Sequence, residues 1–460
     1  MVLKLSSHVL RKLVTPSLRC RAATFHFVSL AKRAIASPEF LPAVAAVLPK
    51  SITSKIASMP ALRRAWSRID KSNRGSSGSD GVTIDMFEKD LEANLRQISS
   101  QLRAGTYHFL ASKGVLLDKP DGGKRPLKIG AIKDRVVCKS IALHIGPRLQ
   151  KLDQDCSFAY RKNLSTANAI RRIGELFNSG SHWVLEADIQ KFFDKVDREI
   201  LKKKLHRVIK SEEYIDLIDL ALTSEIHNPN NLDADYMSQF PAADSGIPQG
   251  NVLSPLLANF YLYPFDKAML KKQFGLVRFA DDFVVMCKSK EEAISAYSFA
   301  AKFLKEQLAL TLHPLSKGGK SDVKKYRDGF EFLGFHVGGS TLKPSAKSIK
   351  KHQERIREII REPLQASPLA RKISRLNNVF KGWAEAFKNA DVRDASLESE
   401  ATLAEELSWI LYRGKFLRRG DRLSHQQIKM LGVLTIRERT KKRLGKPAQP
   451  KTSPATPAAQ

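Results

Sequence analysis

Cysteine is scarce. The 460-residue chain holds four, Cys20, Cys138, Cys156 and Cys287, and no two form a Cys-x-x-Cys pair. This leaves no ligand pattern for a zinc ribbon or finger and no support for a disulfide framework, and it fits a reducing compartment. No apolar run approaches the ~18 residues that a membrane-spanning helix needs. No internal repeat is present. Acidic residues are few: 47 Asp and Glu stand against 78 Lys and Arg, a formal charge of +31. The sequence pI is about 10.0. Such an excess calls for a polyanionic partner, nucleic acid before an anionic membrane surface.

The charge is concentrated. The first 64 residues carry about eleven Lys and Arg with Glu39 as their single acid, and the last 50 carry about thirteen against Asp421 and Glu438. Blocks of this kind read as contact regions for a polyanion, with an affinity that falls steeply with salt. The basic, Ser/Thr-containing start fits an organellar transit peptide and a nucleic-acid-binding arm alike. With 42% hydrophobic residues the chain is long enough for two or three domains.

Periodicity divides the chain further. Residues 1–60 form a basic extension interrupted by Pro38, Pro42 and Pro49. "VTIDMFEKDLEANLRQISSQL" predicts one amphipathic helix with Met86, Leu91, Leu95 and Ile98 on a common face. "GVLLDKPDGGKRPLKIG" (114–130) predicts two strands around a Pro-Asp-Gly-Gly turn. Helices are expected over 133–152, 251–270 and 290–312, strands over 181–189 and 330–337, and a loop at Gly246–Gly250. Residues 348–419 read as helical with a break near 363–368, and the Pro-rich tail as disordered.

"VRFADDFVVM" (277–286) sets two carboxylates inside a run of strand formers. Buried unpaired anions repel and are costly, so they need a turn, a cation, or both. A tight turn at Ala280–Asp282 would place both at its tip. A third carboxylate, Asp188, ends the strand pattern in "VLEADIQKFFD". If the two strands are neighbours, Asp188 and Asp281 converge, and converging carboxylates suit a hard divalent cation.

These segments together resemble a reverse transcriptase of the group II intron/bacterial type. "LEADIQKFFDKVD", "SGIPQGNVLSPLLANFYLYPFDKAM", "VRFADDFVVMCKSKEEA", "LALTLHPLSK" and "FEFLGFHV" follow that family's motifs in order. "LLDKPDGGKRPLKIGAIKDRVVCKSI" upstream and "NNVFKGWAEAF" downstream extend the match to about residues 61–390. The resemblance implies an α+β right-hand polymerase, with an antiparallel palm sheet backed by helices. Its fingers would be 61–180, its palm 181–340 with a fingers insertion near 205–240, its helical thumb 341–420, and its basic tail 421–460.

The resemblance also implies residue roles. Asp188, Asp281 and Asp282 would be the catalytic metal ligands, joined by the Ile189 carbonyl, for two Mg2+ ions with Mn2+ as a substitute. Lys119, Arg125, Phe193, Gln249 and Gly250 would bind the dNTP, with Phe193 excluding a ribose 2′-hydroxyl. Arg135, Arg161, Lys317 and Trp383 are the template and primer candidates. Partners would be an RNA template, a DNA or RNA primer, dNTPs and a cognate structured RNA, with no membrane. The location would be bacterial cytoplasm, or the mitochondrion if the N-terminus is a transit peptide.

Several positions depart from the family pattern. "RPLKIG" stands where R-P-L-G-I-P is usual, "AYRKNLS" where G-F-R-P-G-R-S is usual, and Asn251 follows Pro-Gln-Gly. These leave three readings: an intron-type polymerase and maturase, a domesticated antiphage-type enzyme copying a dedicated non-coding RNA, and a non-catalytic RNA-binding splicing factor.

Overall fold

Val and Ile runs bounded by Gly, Asp and Pro fold as strands, and the 3.6-residue patterns between them fold as helices. The computed structural model describes residues 50–439 except 120–121, 224, 228–232, 340, 364–366, 414–416, 419 and 438. The N-terminal extension to residue 49 and the tail beyond 439, with the expectations placed on them, lie outside the described residues.

Helices α1 (Lys50–Ile56), α2 (Met59–Ser67), α3 (Ile84–Lys89) and α4 (Leu91–Ala104) come first. Hairpin β1 (Lys113–Asp118) and β2 (Lys124–Ile129) and the long α5 (Ile132–Leu149) follow. Next are α6 (Thr166–Asn178), β3 (Trp183–Asp188), α7 (Phe192–Lys195), α8 (Arg198–Val208), α9 (Glu212–Leu222) and α10 (Ala234–Ser238). Then come α11 (Ser254–Lys271), β4 (Gly275–Phe279), β5 (Asp282–Cys287), α12 (Lys290–Leu308) and β6 (Asp322–Lys325). A small sheet of β7 (Phe330–Phe332), β8 (Phe335–Val337) and β9 (Lys343–Pro344) leads into α13 (Ala346–Arg361), α14 (Leu369–Ala386), α15 (Arg393–Arg413) and α16 (His425–Met430). None of the described helices is long and apolar enough to cross a membrane.

The central sheet has the order β4-β5-β3-β6 and is antiparallel throughout. Strands β3, β4 and β5 are largely apolar on both faces, because both faces are covered, while the edge strand β6 is Asp-Val-Lys-Lys. Leu185, Ala187, Phe283, Val285 and Cys287 pack into the large core with α11 and α12, while Val184, Val277, Val284 and Met286 meet α6 and the aromatic residues of β7 and β8. Phe283 is fully buried, so its truncation to Ala would cost roughly 3–5 kcal/mol. A third core joins α13, α14, α15 and α16.

Three sequence expectations need correction. The helix over 82–102 is two helices, because Asp90 leaves helical geometry (φ −116°, ψ 36°). The break shifts the register, so Phe87 is buried and Met86 is 54% exposed. The strand expected over 330–337 is a hairpin: Leu333 and Gly334 both take positive φ, and Phe332 pairs with Phe335. Two central residues with φ > 0 make the two-residue turn that matches strand twist. The helical region beyond 348 has a second interruption, at 387–392, which periodicity did not signal.

Residues 225–227 and 233–240 lie against β1 and the residue before it. Ser112 N donates to Glu225 O at 2.7 Å and Tyr236 Oη to Gly114 O at 3.2 Å.

Candidate active site

β3 and β5 run antiparallel with Trp183 opposite Cys287, and this register ends with Asp188 opposite Asp282. Side chains alternate along a strand, so Glu186 and Asp188 share a face. The β4–β5 turn is Ala280–Asp281, with Ala280 left-handed at φ 62°. Asp282 is therefore the first residue of β5 and not part of the turn tip, while Asp281 projects from the turn itself. The three carboxylates meet at one end of the sheet.

Their electrostatics are unfavourable. Burial, and then the charge of Asp188, pushes the Asp281 carboxyl upward, opposed by Arg125 and Arg278. Asp282 keeps an open face, yet the protein crowded around its carboxyl pushes it up, and Asp188, Asp281 and Glu186 add to the effect. Lys320 Nζ lies 3.6 Å from Asp188 and His313 Nε2 3.7 Å from it. Among the described residues no group of three or more His, Cys, Asp or Glu side chains is arranged so that it could hold a metal ion. The donor set is nonetheless all oxygen and mutually repelling, which fits a hard divalent cation. Ile189 is buried and bridges to Leu312, and Asp188 O accepts from His313 N at 3.0 Å.

Phe193 follows on α7, half-buried and edge-to-face with the buried Phe192 at 5.3 Å. Its carbonyl accepts from Ile247 N at 2.8 Å, which ties it to the Gly246–Gly250 loop. Gly246 has φ 62°, and a Cβ there would stand 2.2 Å from Phe193 O, so only glycine permits this approach. Gln249 O accepts from Lys128 N at 2.8 Å, and the Gln249 side chain lies near enough to Asp194 to oppose the upward push of burial on its carboxyl. Gly250 is exposed, at φ 102°. Lys119 and Arg125 are exposed on the β1–β2 hairpin, where Lys119 acts on the charge of Asp194 and Arg125 on that of Asp281.

The template and primer candidates are placed differently. Arg161 Nη1 donates to Gln154 O at 2.6 Å and Ser157 O at 2.7 Å, and Nε stands 3.6 Å from Asp153. It braces its own loop. Arg135 Nε donates to Gly130 O at 2.8 Å, and the residue lines a pocket behind the Pro248–Val252 loop with its Nη2 buried. Trp383 packs on His352 at 5.0 Å and Phe387 at 4.5 Å and belongs to the helical core, not to an open stacking surface. Lys317 is exposed in a Ser316–Gly319 turn, and it is Lys320 that reaches Asp188.

Two further residues escaped the sequence reading. Arg278 is fully buried and pairs with the equally buried Asp266, Nη2 to Oδ2 at 2.5 Å. The signal was a charged residue inside an apolar strand, with Asp266 inside an apolar helix. Tyr160, left-handed at φ 59°, comes close enough to Asp281 and Arg125 for both to act on its phenol.

Residues 117–337 match the family described as reverse transcriptase (RNA-dependent DNA polymerase). Protein YkfC of Escherichia coli K12 is 27% identical over 310 residues, spanning 59% of this chain and 78% of that protein. The group II intron-encoded protein LtrA of Lactococcus lactis is 30% identical over 203 residues, 44% of this chain and 32% of that protein. The chain thus spans most of the first relative and about a third of the second. A solved partial Cas6-RT-Cas1–Cas2 complex is 28% identical, covering 55% of this chain and 42% of that chain with a TM-score of 0.34.

Proposed function

Because the chain carries a reverse transcriptase domain of the group II intron/bacterial type, we propose that it is an RNA-directed DNA polymerase, adding dNTP units to a primer 3′-hydroxyl on an RNA template. The observation that carries this reading is the meeting of Asp188, Asp281 and Asp282 at one end of the central sheet, beside Phe193 and the Gln249 loop. In this reading the central sheet with α11 and α12 is the palm. The helices before it, the β1–β2 hairpin and the insertion at 205–240 are the fingers, and α13 to α15 the thumb.

Asp188, Asp281 and Asp282 would hold two Mg2+ ions, with the Ile189 carbonyl as a further oxygen. Bound there, the metal supplies Lewis-acid stabilisation of phosphoryl oxygens and favours ionisation of a hydroxyl. The remaining work falls to the chain. Lys119 and Arg125 bind the triphosphate from the hairpin, Arg125 through a planar fork that matches phosphate oxygens. The Phe193 ring lies under the sugar and excludes a 2′-oxygen. Gln249 and Gly250 line the nucleotide from below, with Gly250 allowing close backbone approach. Lys320, next to Asp188, donates a proton to the departing pyrophosphate. The excess of Lys and Arg serves the RNA backbone, and the setting is the bacterial cytoplasm.

The test is primer extension on an RNA template with a DNA primer, Mg2+ and labelled dNTPs, comparing the wild type with Asp281→Ala/Asp282→Ala. Incorporation by the wild type alone is expected. A wild type that binds RNA tightly yet incorporates nothing would move the chain to the non-catalytic, RNA-binding reading.

A further inference from the structure

Arg278 stands two residues before the Ala280–Asp281 turn and has no solvent exposure. A buried guanidinium is costly unless its donors are satisfied. Here Nε and Nη2 donate to Asp266 Oδ1 and Oδ2 at 2.6 and 2.5 Å. Nη2 also donates to Ser157 Oγ at 2.8 Å, and Nη1 to Asn259 Oδ1 at 3.1 Å. Nη1 makes one more bond, forward along its own chain, to the Ala280 carbonyl at 2.7 Å. Ala280 is left-handed at φ 62°, a conformation that a residue with a Cβ resists. Charge neutrality needs only Asp266; the bond to Ala280 serves the turn.

We propose that Arg278 is a positioning residue for nucleotidyl transfer: by holding the Ala280 carbonyl it fixes the left-handed turn and so sets where the Asp281 carboxylate stands relative to Asp188. This rests on the polymerase reading above. The Arg278 backbone adds a second tie. Its N–H donates to Cys156 O at 2.7 Å and its carbonyl accepts from Phe158 N at 2.9 Å. The loop that carries Tyr160 is thereby fixed to the same turn. A lysine at 278 can reach Asp266 but lacks the fork that spans Asp266, Ser157 and Ala280 together.

The experiment compares wild type, R278K and R278K/Ala280→Gly by Mn2+ binding to the protein without nucleic acid, thermal melting and primer extension. In R278K the Mn2+ Kd should rise and kcat should fall, each by roughly tenfold to a hundredfold, as an ångström-scale misplacement does. The KM for template–primer should hold within about threefold, since ground-state binding is untouched. Glycine at 280 takes the left-handed turn without help, so the double variant should recover much of both losses. A purely structural arginine would give no such rescue. If R278K does not fold, Arg278→Met with Asp266→Leu replaces the ion pair by apolar residues, a change buried pairs often tolerate; the same losses and the same rescue are expected. R278K, or that apolar pair, binding Mn2+ and extending primers like the wild type overturns the inference alone. A wild type that neither binds Mn2+ nor extends overturns the polymerase reading, and this inference with it.

Discussion

Asp188 is the register partner of Asp282 across the antiparallel β3–β5 pair, so two carboxylates face each other where a sheet ordinarily sets an apolar or oppositely charged pair. The arrangement weakens the sheet in the absence of a cation. That trade of stability for chemistry can be measured.

Asp282→Asn keeps the shape and removes one charge of the pair. In metal-free buffer it should raise unfolding stability by about 0.5–1 kcal/mol, the scale of a cross-strand pair. Primer extension should fall at least about a hundredfold. Added Mg2+ should stabilise the wild type more than the variant, since a ligand of the native state raises its stability in proportion to occupancy. Denaturant midpoints with and without Mg2+ provide the check, and a variant less stable in both buffers would contradict the repulsion.

Phe193 is half-buried against Phe192, with its backbone held by the Ile247 N–H. Phe193→Val leaves the loop contact intact and opens space where the proposed nucleotide's sugar would lie. The ratio of kcat/KM for dNTP over rNTP should drop at least about tenfold, mostly through improved use of rNTP. Equal loss for both nucleotides would instead mark Phe193 as a packing residue.

Gly250 has φ 102°, and a Cβ on it would stand 2.8 Å from Lys128 O. Gly250→Ala should therefore destabilise by about 1–3 kcal/mol and raise the KM for dNTP. Gly174, on α6, has nothing within 4 Å of such a Cβ, so Gly174→Ala should stabilise by about 0.5–1 kcal/mol. Thermal melts of the two variants should move in opposite directions.

His352 is 4% exposed and packs on Phe380 and Trp383. Burial pushes its imidazole from 6.5 down to about 4. Between these values the unfolded chain takes up a proton that the folded chain does not. Stability contributed by the neutral ring is therefore intact above about pH 6.5 and lost as pH falls toward about 4, by roughly 3 kcal/mol in all. His352→Phe should flatten that part of the pH profile, read as the difference between the two proteins' denaturation midpoints. Parallel profiles would show that other groups govern acid unfolding.

The hairpin at 277–287 was legible because strand formers flank a short polar interruption, and that pattern needs no knowledge of the rest of the chain. The neighbouring placement of β3 and β5 was only a condition in the sequence, and the sheet register supplies it. What stayed hidden depended on single backbone angles or distant partners. Leu333 in a left-handed turn split an apparently continuous strand, and Asp90 split a helix and exchanged Met86 for Phe87. Arg161 and Arg135 read as cations for a polyanion, yet both spend donors on nearby carbonyls that composition cannot locate. Trp383 reads from sequence as a core residue before a stacking platform, and its ring contacts with His352 and Phe387 agree with the core.

The order of the central sheet bears on how the protein is made. β3 is an interior strand whose two neighbours, β5 and β6, are synthesised long after it. Such non-local pairing is slow to form. A nascent chain that has emerged only as far as α11 exposes both edges of β3, with Val184 and Leu185 uncovered, an invitation to intermolecular pairing. The same connectivity sets a strict completion point. No fragment ending before β5 can bring Asp188 and Asp282 together, so a truncated product would lack the proposed catalytic site altogether.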